Sequence, residues 1–400
     1  MRLSSMIDLE AFSHELGTEL HNILQYWTMY APDTVNGGFY GGIDNNNTVQ
    51  PAAAKGLVLH ARILWSFSAA YKFTAQETYL PMAECAYHYL LNHFTDNEFG
   101  GAYWSVDAQG KPLNSRKQLY GLAFYLYGMS EYYHATGHRQ VLDEAIALFR
   151  LMEAESFDEE RQGYLEAFTR DWQALPDVRL SNKDANQKKT MNTHLHIIEA
   201  YANLYRHWPD ALLRRRIIQL LEVFDNYMID KNTGHLLLFF DDCWNRHPGP
   251  VSYGHDIEAA WLLQQCAEVV KDGYWIDKMK IHALRVAAAA AEGMDADGGL
   301  WYENHSAGGL VKEKHWWPQA EAILGFFNAW EISGQEKYLH ASVNSWNFIK
   351  KHIRDTVNGE WFWGVNENYS IMKGNDKAGF WKCPYHNSRA CMEMVRRIQS

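Results

Sequence analysis

The sequence predicts an all-α fold in which six helical hairpins close into an (α/α)6 barrel, with short β-hairpin or loop insertions. Two observations predict it: a marker of glycine and aromatic residues recurs six times, and the stretches between markers have helical periodicity. Of the 400 residues, 47% are apolar, which is ample for a packed core. Because no Pro-, Gly- or Ser-rich linker divides the chain, a single domain over residues 1–400 is expected.

The marker joins glycine to aromatic or apolar residues, as in Gly37-Gly38-Phe39-Tyr40. Glycine permits a positive φ, so each marker is predicted to be a turn or short hairpin that joins helices. The markers recur at intervals of about 60–70 residues. Their glycines are Gly38, Gly101, Gly163, Gly234, Gly299 and Gly359.

Each of the six units is predicted to hold about two helices, which gives twelve in all. An open solenoid would need polar caps and would leave a long exposed edge, whereas six hairpins in a ring close on themselves around a central pit. The segments with the clearest helical pattern are 57–71, 119–133, 193–208, 257–270, 275–291, 320–332 and 338–353.

The charge distribution excludes several classes of partner. The net charge is −11 and is dispersed, which argues against nucleic acid and anionic membranes. No run of about 18 apolar residues suggests a membrane span, and residues 1–17 lack the apolar region of a signal peptide. The five cysteines form no CxxC pair, so reduced thiols and a cytoplasmic location are expected. A monomer is expected, and a dimer is left open.

Three histidines near the starts of alternate predicted helices are candidate chemical groups. His196 lies four residues after Asn192, so the two share a helical face, and His255 lies three residues before Glu258. His386 falls in the first turn of the last helix. Each histidine taken alone is equally consistent with a buried or capping role. In a closed ring, however, the starts of alternate helices point to one face, so the three are expected to converge.

Glu258 has three possible roles in this pattern. As a neighbour of His255 on one helical face, it is expected to hold the tautomer of that imidazole and to raise its basicity. A first-turn glutamate also favours the helix dipole. A His and a Glu one turn apart can ligate two metal ions, but Glu321, the best further partner, does not complete the ligand set. No metal and no cofactor are therefore expected.

A charged side chain and two tryptophans suggest a polar pit with aromatic walls. Arg62 lies in an otherwise apolar helix and should be paired or face polar surroundings, where Tyr120 could also donate a hydrogen bond. Trp316 and Trp317 precede Glu321 at a helix start. One of the two is expected to fill the core and the other to stack on a sugar, and the sequence leaves open which is which.

Five segments, in order along the chain, resemble the N-acylglucosamine 2-epimerase superfamily, and most closely its members that act on β-1,4-linked disaccharides. The resemblance covers essentially the whole chain and implies an (α/α)6 barrel, in agreement with the repeat count. The segments are 61–68, 191–201, 252–258, 314–321 and 380–387.

The resemblance implies a role for each candidate residue. It implies that His255 and His386 form the acid/base pair and that Glu258 supports the first of them. Arg62 would lie near the C1 and C2 oxygens of the sugar. The further residues implied to act at the site are His196 in catalysis, and Tyr120, Asn192, Trp316, Trp317, Glu321 and Trp381 in substrate binding.

The implied reaction is epimerisation at C2 of the reducing-end glucose, which converts cellobiose to glucosyl-mannose and lactose to epilactose. The ring opens, one histidine removes the C2 proton, and an enediolate is reprotonated on the opposite face. An ordinary histidine pKa of about 6.5 suits both directions of proton transfer.

Three alternatives remain at this point. The first is an epimerase or aldose–ketose isomerase of free mannose, glucose or N-acetylglucosamine. The second is a glycoside hydrolase on the same barrel, which needs two carboxylates across the scissile bond; Asp241, Asp242, Glu258 and Glu321 are available. The third is a sugar-binding protein without catalysis.

Overall fold

A computed structural model describes residues 7–400, and this part of the chain contains twelve α-helices. They are α1 (Leu9–Tyr30), α2 (Leu57–Thr74), α3 (Leu80–Tyr89), α4 (Leu119–Thr136), α5 (Arg139–Ser156), α6 (Met191–His207), α7 (Ala211–Val223), α8 (Tyr253–Val270), α9 (Gly273–Ala290), α10 (Trp316–Ser333), α11 (Glu336–Phe348) and α12 (Tyr385–Gln399). Among residues 7–400, no helix combines the length and apolar character needed to cross a membrane.

The even-numbered helices form a closed inner ring, and each odd-numbered helix packs outside one of them. Helix α12 contacts α2, which closes the ring. The predicted (α/α)6 barrel is thereby confirmed. Five of its hairpins are continuous in sequence, from α2–α3 to α10–α11. The sixth pairs α12 with α1, so the two ends of the chain complete the barrel together.

Inner and outer helices differ in burial as this arrangement requires. Every residue of α4 from Leu119 to Tyr132 is buried, because an inner helix is covered on all sides. Helix α5 buries only one face.

Fifteen short strands within residues 7–400 lie in the long connections that lead into the inner helices. All pair antiparallel, and each sheet joins neighbouring units, including the first to the last through β1 and β15. The sheets are β1–β15, β2–β3–β4, β5–β6, β7–β8–β9, β10–β11–β12 and β13–β14. The strands are β1 (Gly42–Ile43), β2 (Lys55–Gly56), β3 (Ser105–Val106), β4 (Pro112–Asn114), β5 (Lys117–Gln118), β6 (Ala167–Phe168), β7 (Lys189–Thr190), β8 (Phe239–Phe240), β9 (Arg246–His247), β10 (Val251–Ser252), β11 (Glu303–His305), β12 (Gly309–Val311), β13 (Lys314–His315), β14 (Gly364–Val365) and β15 (Ala378–Gly379).

The glycine markers are the turns that precede these strands, and they dock on the inner helices through a repeated hydrogen bond. The Phe39 N–H donates to Nε2 of His60, the fourth residue of α2, over 3.2 Å. The Tyr164 N–H donates to Nε2 of His194, the fourth residue of α6, over 2.9 Å. In the next two markers the Leu236 N–H donates to Asp256 in α8, and the Leu300 N–H donates to Gln319 in α10.

A buried lysine fixes the aspartate that begins the turn in five of the units. Its ammonium lies within salt-bridge distance of the carboxylate, which offsets the cost of burying either charge alone. The pairs are Lys55–Asp33 at 2.8 Å, Lys117–Asp96 at 2.7 Å, Lys189–Asp158 at 2.8 Å, Lys314–Asp295 at 2.7 Å and Lys377–Asp355 at 2.6 Å.

Removing one of these lysines should destabilise the barrel. Lys55→Met leaves the Asp33 carboxylate buried without its cation, so the free energy of unfolding should fall by about 3–5 kcal/mol. Urea unfolding followed by circular dichroism measures the change. Lys111→Met is the matched control, because Lys111 is exposed and surface changes usually stay within about 0.5 kcal/mol. Equal midpoints for the two variants would contradict a stabilising role for the pair.

Candidate active site

The predicted site residues meet at the face of the ring where the inner helices begin. His196, His255 and His386 lie in the first two turns of α6, α8 and α12. The Trp317 ring lies 4.8 Å from the His255 ring and 5.6 Å from the His386 ring, measured between centroids. The His196 ring meets the edge of Tyr120 at 5.1 Å. The expected convergence of the three histidines is therefore present.

His386 is supported by a carboxylate. Its Nδ1 lies 2.7 Å from Oε1 of Glu321, and we assign this contact as Nδ1–H donating to the carboxylate. Burial lowers the pKa of His386 to about 3, although the hydrogen bond to Glu321 acts in the opposite direction. The imidazole is accordingly neutral near pH 7, with Nε2 as the free nitrogen.

His196 has the same kind of support. Its Nδ1 lies 2.9 Å from Oε2 of Glu199, three residues later on α6. The other oxygen of Glu199 accepts a hydrogen bond from the Tyr385 hydroxyl at 2.5 Å. Burial lowers the pKa of His196 below its ordinary value, against the effect of Glu199. His196 is therefore also a neutral imidazole held through Nδ1.

His255 is held differently, and the expected pairing with Glu258 is wrong. Its Nδ1 lies 2.7 Å from the Ser252 hydroxyl at the start of α8. Helical side chains lean towards the N-terminus, so His255 points back to Ser252 while Glu258 lies one turn deeper in the barrel. Burial lowers the pKa of His255, with smaller contributions from the neighbouring His196 and His386, and the resulting pKa is about 3.

Arg389, to which sequence reasoning gave no role, binds three carboxylates beneath the histidines. Its Nη2 donates to Glu258 at 2.8 Å and to Glu321 at 2.6 Å, and its Nη1 donates to Glu199. Nη1 also donates to the Tyr385 hydroxyl. These five residues are called the Arg389 cluster below. The pattern that singled out Arg62, a charge within an otherwise apolar helix, does not identify Arg389, because α12 is rich in polar residues.

The carboxylates of the cluster differ in their pKa. Burial raises the pKa of Glu258, and the negative charge of Glu321 raises it further. Burial also opposes ionisation of Glu321, but Arg389 and the His386 hydrogen bond lower its pKa below the usual value. The structure places Glu321 behind His386, with 1% of its surface exposed. The substrate contact expected of Glu321 is therefore wrong, because its oxygens are already bound within the protein.

Glu258, Glu321 and His386 bring ligand atoms close enough together to hold a metal ion. The guanidinium of Arg389 already binds both of these carboxylates. A metal ion between the same oxygens would meet that positive charge, so this donor set does not fit a metal.

Arg62 and Tyr120 lie side by side within the first two turns of α2 and α4. Nη2 of Arg62 donates to the Tyr120 hydroxyl at 2.6 Å, and its guanidinium lies 4.0 Å from the centroid of the Phe124 ring. Asn192 is half-buried in the first turn of α6, and its side-chain oxygen has no hydrogen-bond partner within residues 7–400. Asn192 thus carries a buried, unpartnered oxygen within the same two turns of α6 as His196.

The structure distinguishes the two adjacent tryptophans. Trp316 is 3% exposed and packs against Trp363 at 4.5 Å, so it belongs to the core. Trp317 is half-buried and lies against both His255 and His386, so it faces the pit. Trp381 is also half-buried, at 6.1 Å from the Tyr120 ring.

The family model described as N-acylglucosamine 2-epimerase (GlcNAc 2-epimerase) matches residues 38–390 of the chain. A cellobiose 2-epimerase from Bacteroides fragilis is 47% identical over 388 residues, which cover 96% of this chain and 99% of that protein. A cellobiose 2-epimerase from Dictyoglomus turgidum is 38% identical over 395 residues, which cover 98% of this chain and 100% of that protein.

A solved structure has the same fold over the same length. Cellobiose 2-epimerase from Bacillus thermoamylovorans B4167 superposes with a TM-score of 0.92 at 39% identity, covering 97% of this chain and 100% of that one. The similarity therefore extends over the whole barrel and is not confined to one segment.

The two tryptophans should differ in their effect on stability. Trp316→Ala opens a cavity in the core and should lower the free energy of unfolding by about 3–5 kcal/mol. Trp317→Ala removes a half-buried ring and should lower the free energy of unfolding by about 1–2 kcal/mol. Urea unfolding followed by circular dichroism compares them, and equal losses would contradict the assignment of Trp317 to the pit.

Proposed function

The chain belongs to the N-acylglucosamine 2-epimerase family, and we propose that it epimerises C2 of the reducing-end glucose of β-1,4-linked disaccharides. Cellobiose would give glucosyl-mannose, and lactose would give epilactose. The names of relatives at 38% and 47% identity support cellobiose as a substrate. Both sugars carry the same reducing-end glucose, which is the ring where the chemistry takes place.

The observation that carries this proposal is the arrangement of three neutral imidazoles around one pit. Each Nδ1 is engaged, by Glu199, Ser252 or Glu321, and no Nε2 of the three has a hydrogen-bond partner within residues 7–400. His196 and His386, whose Nδ1–H donates to a carboxylate, present the Nε2 lone pair as a base, and His255 does so when its proton is on Nδ1. Nε2 is thus the atom that exchanges protons with the sugar.

The reaction begins with ring opening, in which the O1 hydroxyl loses its proton and the ring oxygen gains one, so that C1 becomes an aldehyde. A histidine Nε2 then takes the C2 proton, and the electron pair of that C–H bond forms a C1–C2 double bond. The C1 oxygen becomes an enediolate anion. Arg62 is positioned to stabilise this charge, as the donors of an oxyanion hole do.

Inversion at C2 requires proton donors on both faces of the planar enediolate. We assign these roles to His255 and His386, which come from α8 and α12 and both contact Trp317. One of them, as the neutral imidazole, accepts the C2 proton at Nε2. The other must first take up a proton from water, and as an imidazolium it gives that proton to the opposite face; the first histidine then returns its proton to water. A single base would return the proton mostly to its own face.

The hydrolase alternative is disfavoured by the position of the carboxylates. Glycoside hydrolysis needs two carboxyl groups that reach the glycosidic bond from the site surface. Glu258 and Glu321 are instead buried and bound to Arg389. Asp241 and Asp242 lie in the turn between β8 and β9, where Asn245 donates to Asp241 and Lys188 donates to Asp242.

Proton NMR of cellobiose with the purified protein in deuterated water tests the proposed reaction. We expect a mannose-type reducing end with deuterium at C2, because the abstracted proton exchanges with solvent. Free glucose, mannose and N-acetylglucosamine are tested in parallel. Turnover of one of these without turnover of cellobiose would favour the monosaccharide alternative. Release of glucose from cellobiose would favour the hydrolase.

Replacing either histidine should separate the two faces of C2. His255→Asn and His386→Asn should each slow epimerisation by about 10²–10⁴-fold, since each removes one acid/base group. Each variant should still exchange the C2 proton of one epimer with solvent, and the two variants should exchange opposite epimers.

Deuterium incorporation into cellobiose and into glucosyl-mannose measures this exchange separately for each variant. His340→Asn is the matched control, because His340 is exposed on the outer helix α11, and it should retain the wild-type rate. If both active-site variants exchanged the same epimer, the assignment of the two histidines to opposite faces would be wrong.

A further inference from the structure

Arg389 lies one layer below the histidines and contacts the carboxylates that hold two of them. Nη1 binds Glu199, which accepts from His196, and Nη2 binds Glu321, which accepts from His386. Arg389 is 2% exposed, and its guanidinium also lies 4.9 Å from the Trp261 ring. One guanidinium therefore connects the supports of two histidines that come from different helices.

The charge of these carboxylates decides which nitrogen of each imidazole is free. An ionised carboxylate only accepts, so it requires the imidazole proton on Nδ1 and leaves Nε2 as a base. A protonated carboxyl group can donate to Nδ1, which moves the imidazole proton to Nε2 and removes the base. Buried carboxyl groups tend to be protonated unless a cation lies close by.

We propose that Arg389 is a positioning residue that keeps Glu199 and Glu321 ionised and thereby fixes His196 and His386 as Nδ1–H tautomers. The role of these tautomers in catalysis rests on the proposed function. The fork of the guanidinium is essential to this arrangement, because Nη1 and Nη2 reach carboxylates on α6 and α10 at the same time.

Glu258 completes the charge balance of the cluster. A single guanidinium does not neutralise three carboxylates in a buried site, and Glu258 is the one whose pKa is raised, by burial and by Glu321. Glu258 thus holds a proton where Glu199 and Glu321 do not. Other ionisable groups that face the cluster come from three inner helices. They include Arg62 from α2, Tyr120 and Tyr127 from α4, and His255 and Cys266 from α8.

Two substitutions separate the charge of Arg389 from its shape. Arg389→Gln removes the cation, so the pKa values of Glu199, Glu321 and both histidines should rise. On acidification, protonation of either carboxylate or of either histidine then removes the unprotonated Nε2 at a higher pH than in the wild type. The acid limb of kcat/KM for cellobiose should therefore move up by about one pH unit or more. The kcat should fall by about 10²-fold, with KM within about threefold.

Arg389→Lys keeps the charge, but a single ammonium does not reach carboxylates on both sides. Its acid limb should stay near the wild-type position while kcat falls by about tenfold. Arg397→Gln on the same helix is the matched control, since Arg397 binds Asn328 and Glu331 away from the cluster. A wild-type kcat in Arg389→Lys, or a wild-type acid limb in Arg389→Gln, would overturn the proposal.

Nitrogen-15 NMR of histidine-labelled protein tests the tautomers without relying on activity. His196 and His386 should carry their proton on Nδ1 in the wild type, and Nε2–H forms should appear in Arg389→Gln. Unchanged tautomers in folded Arg389→Gln would overturn the inference even if the enzyme were active. If cellobiose were not a substrate but the tautomers changed as expected, the proposed function would fail while the role of Arg389 stood.

Discussion

The site depends on one electrostatic constraint, which is that a group of buried carboxylates must share a single cation. Glu199, Glu258 and Glu321 come from three different inner helices and all bind the guanidinium of Arg389. Burying any one of these carboxylates without a cation would cost free energy, and loss of Arg389 would leave their negative charge unpaired inside the protein. His196 and His386 above them are oriented by the carboxylates of this cluster, whereas His255 is held by Ser252.

The ring supplies the geometry that places the histidines above this buried cluster. Because every inner helix begins at the same face, α6, α8 and α12 each bring a histidine to the pit within their first two turns. Helix N-termini carry partial positive charge, which favours negative charge at the centre of the ring. The buried lysine–aspartate pairs, such as Lys55–Asp33, hold the turns that lead into these helices and so keep the helix starts in register.

Repetition explains why the fold could be predicted and the cluster could not. The glycine markers recur with each unit, so they report the number of hairpins directly. The sixth hairpin, made by α1 and α12, joins the ends of the chain and leaves no periodic signal. Arg389 has no such signal either, because its partners lie on helices far away in sequence. Helical spacing places His255 and Glu258 on one face of α8. The His255 side chain leans towards the helix N-terminus, however, so its Nδ1 meets Ser252 and not Glu258.

The two histidines assigned to opposite faces of C2 are chemically unequal, and this follows from their Nδ1 partners. Glu321 only accepts, so it fixes the tautomer of His386, and its charge stabilises the imidazolium that forms when that ring gains a proton. The Ser252 hydroxyl donates or accepts with equal ease and carries no charge, so His255 is free to hold its proton on either nitrogen. The carboxylate on α10 therefore fixes the proton of His386 on Nδ1, whereas the proton of His255 is set by whichever group meets its Nε2.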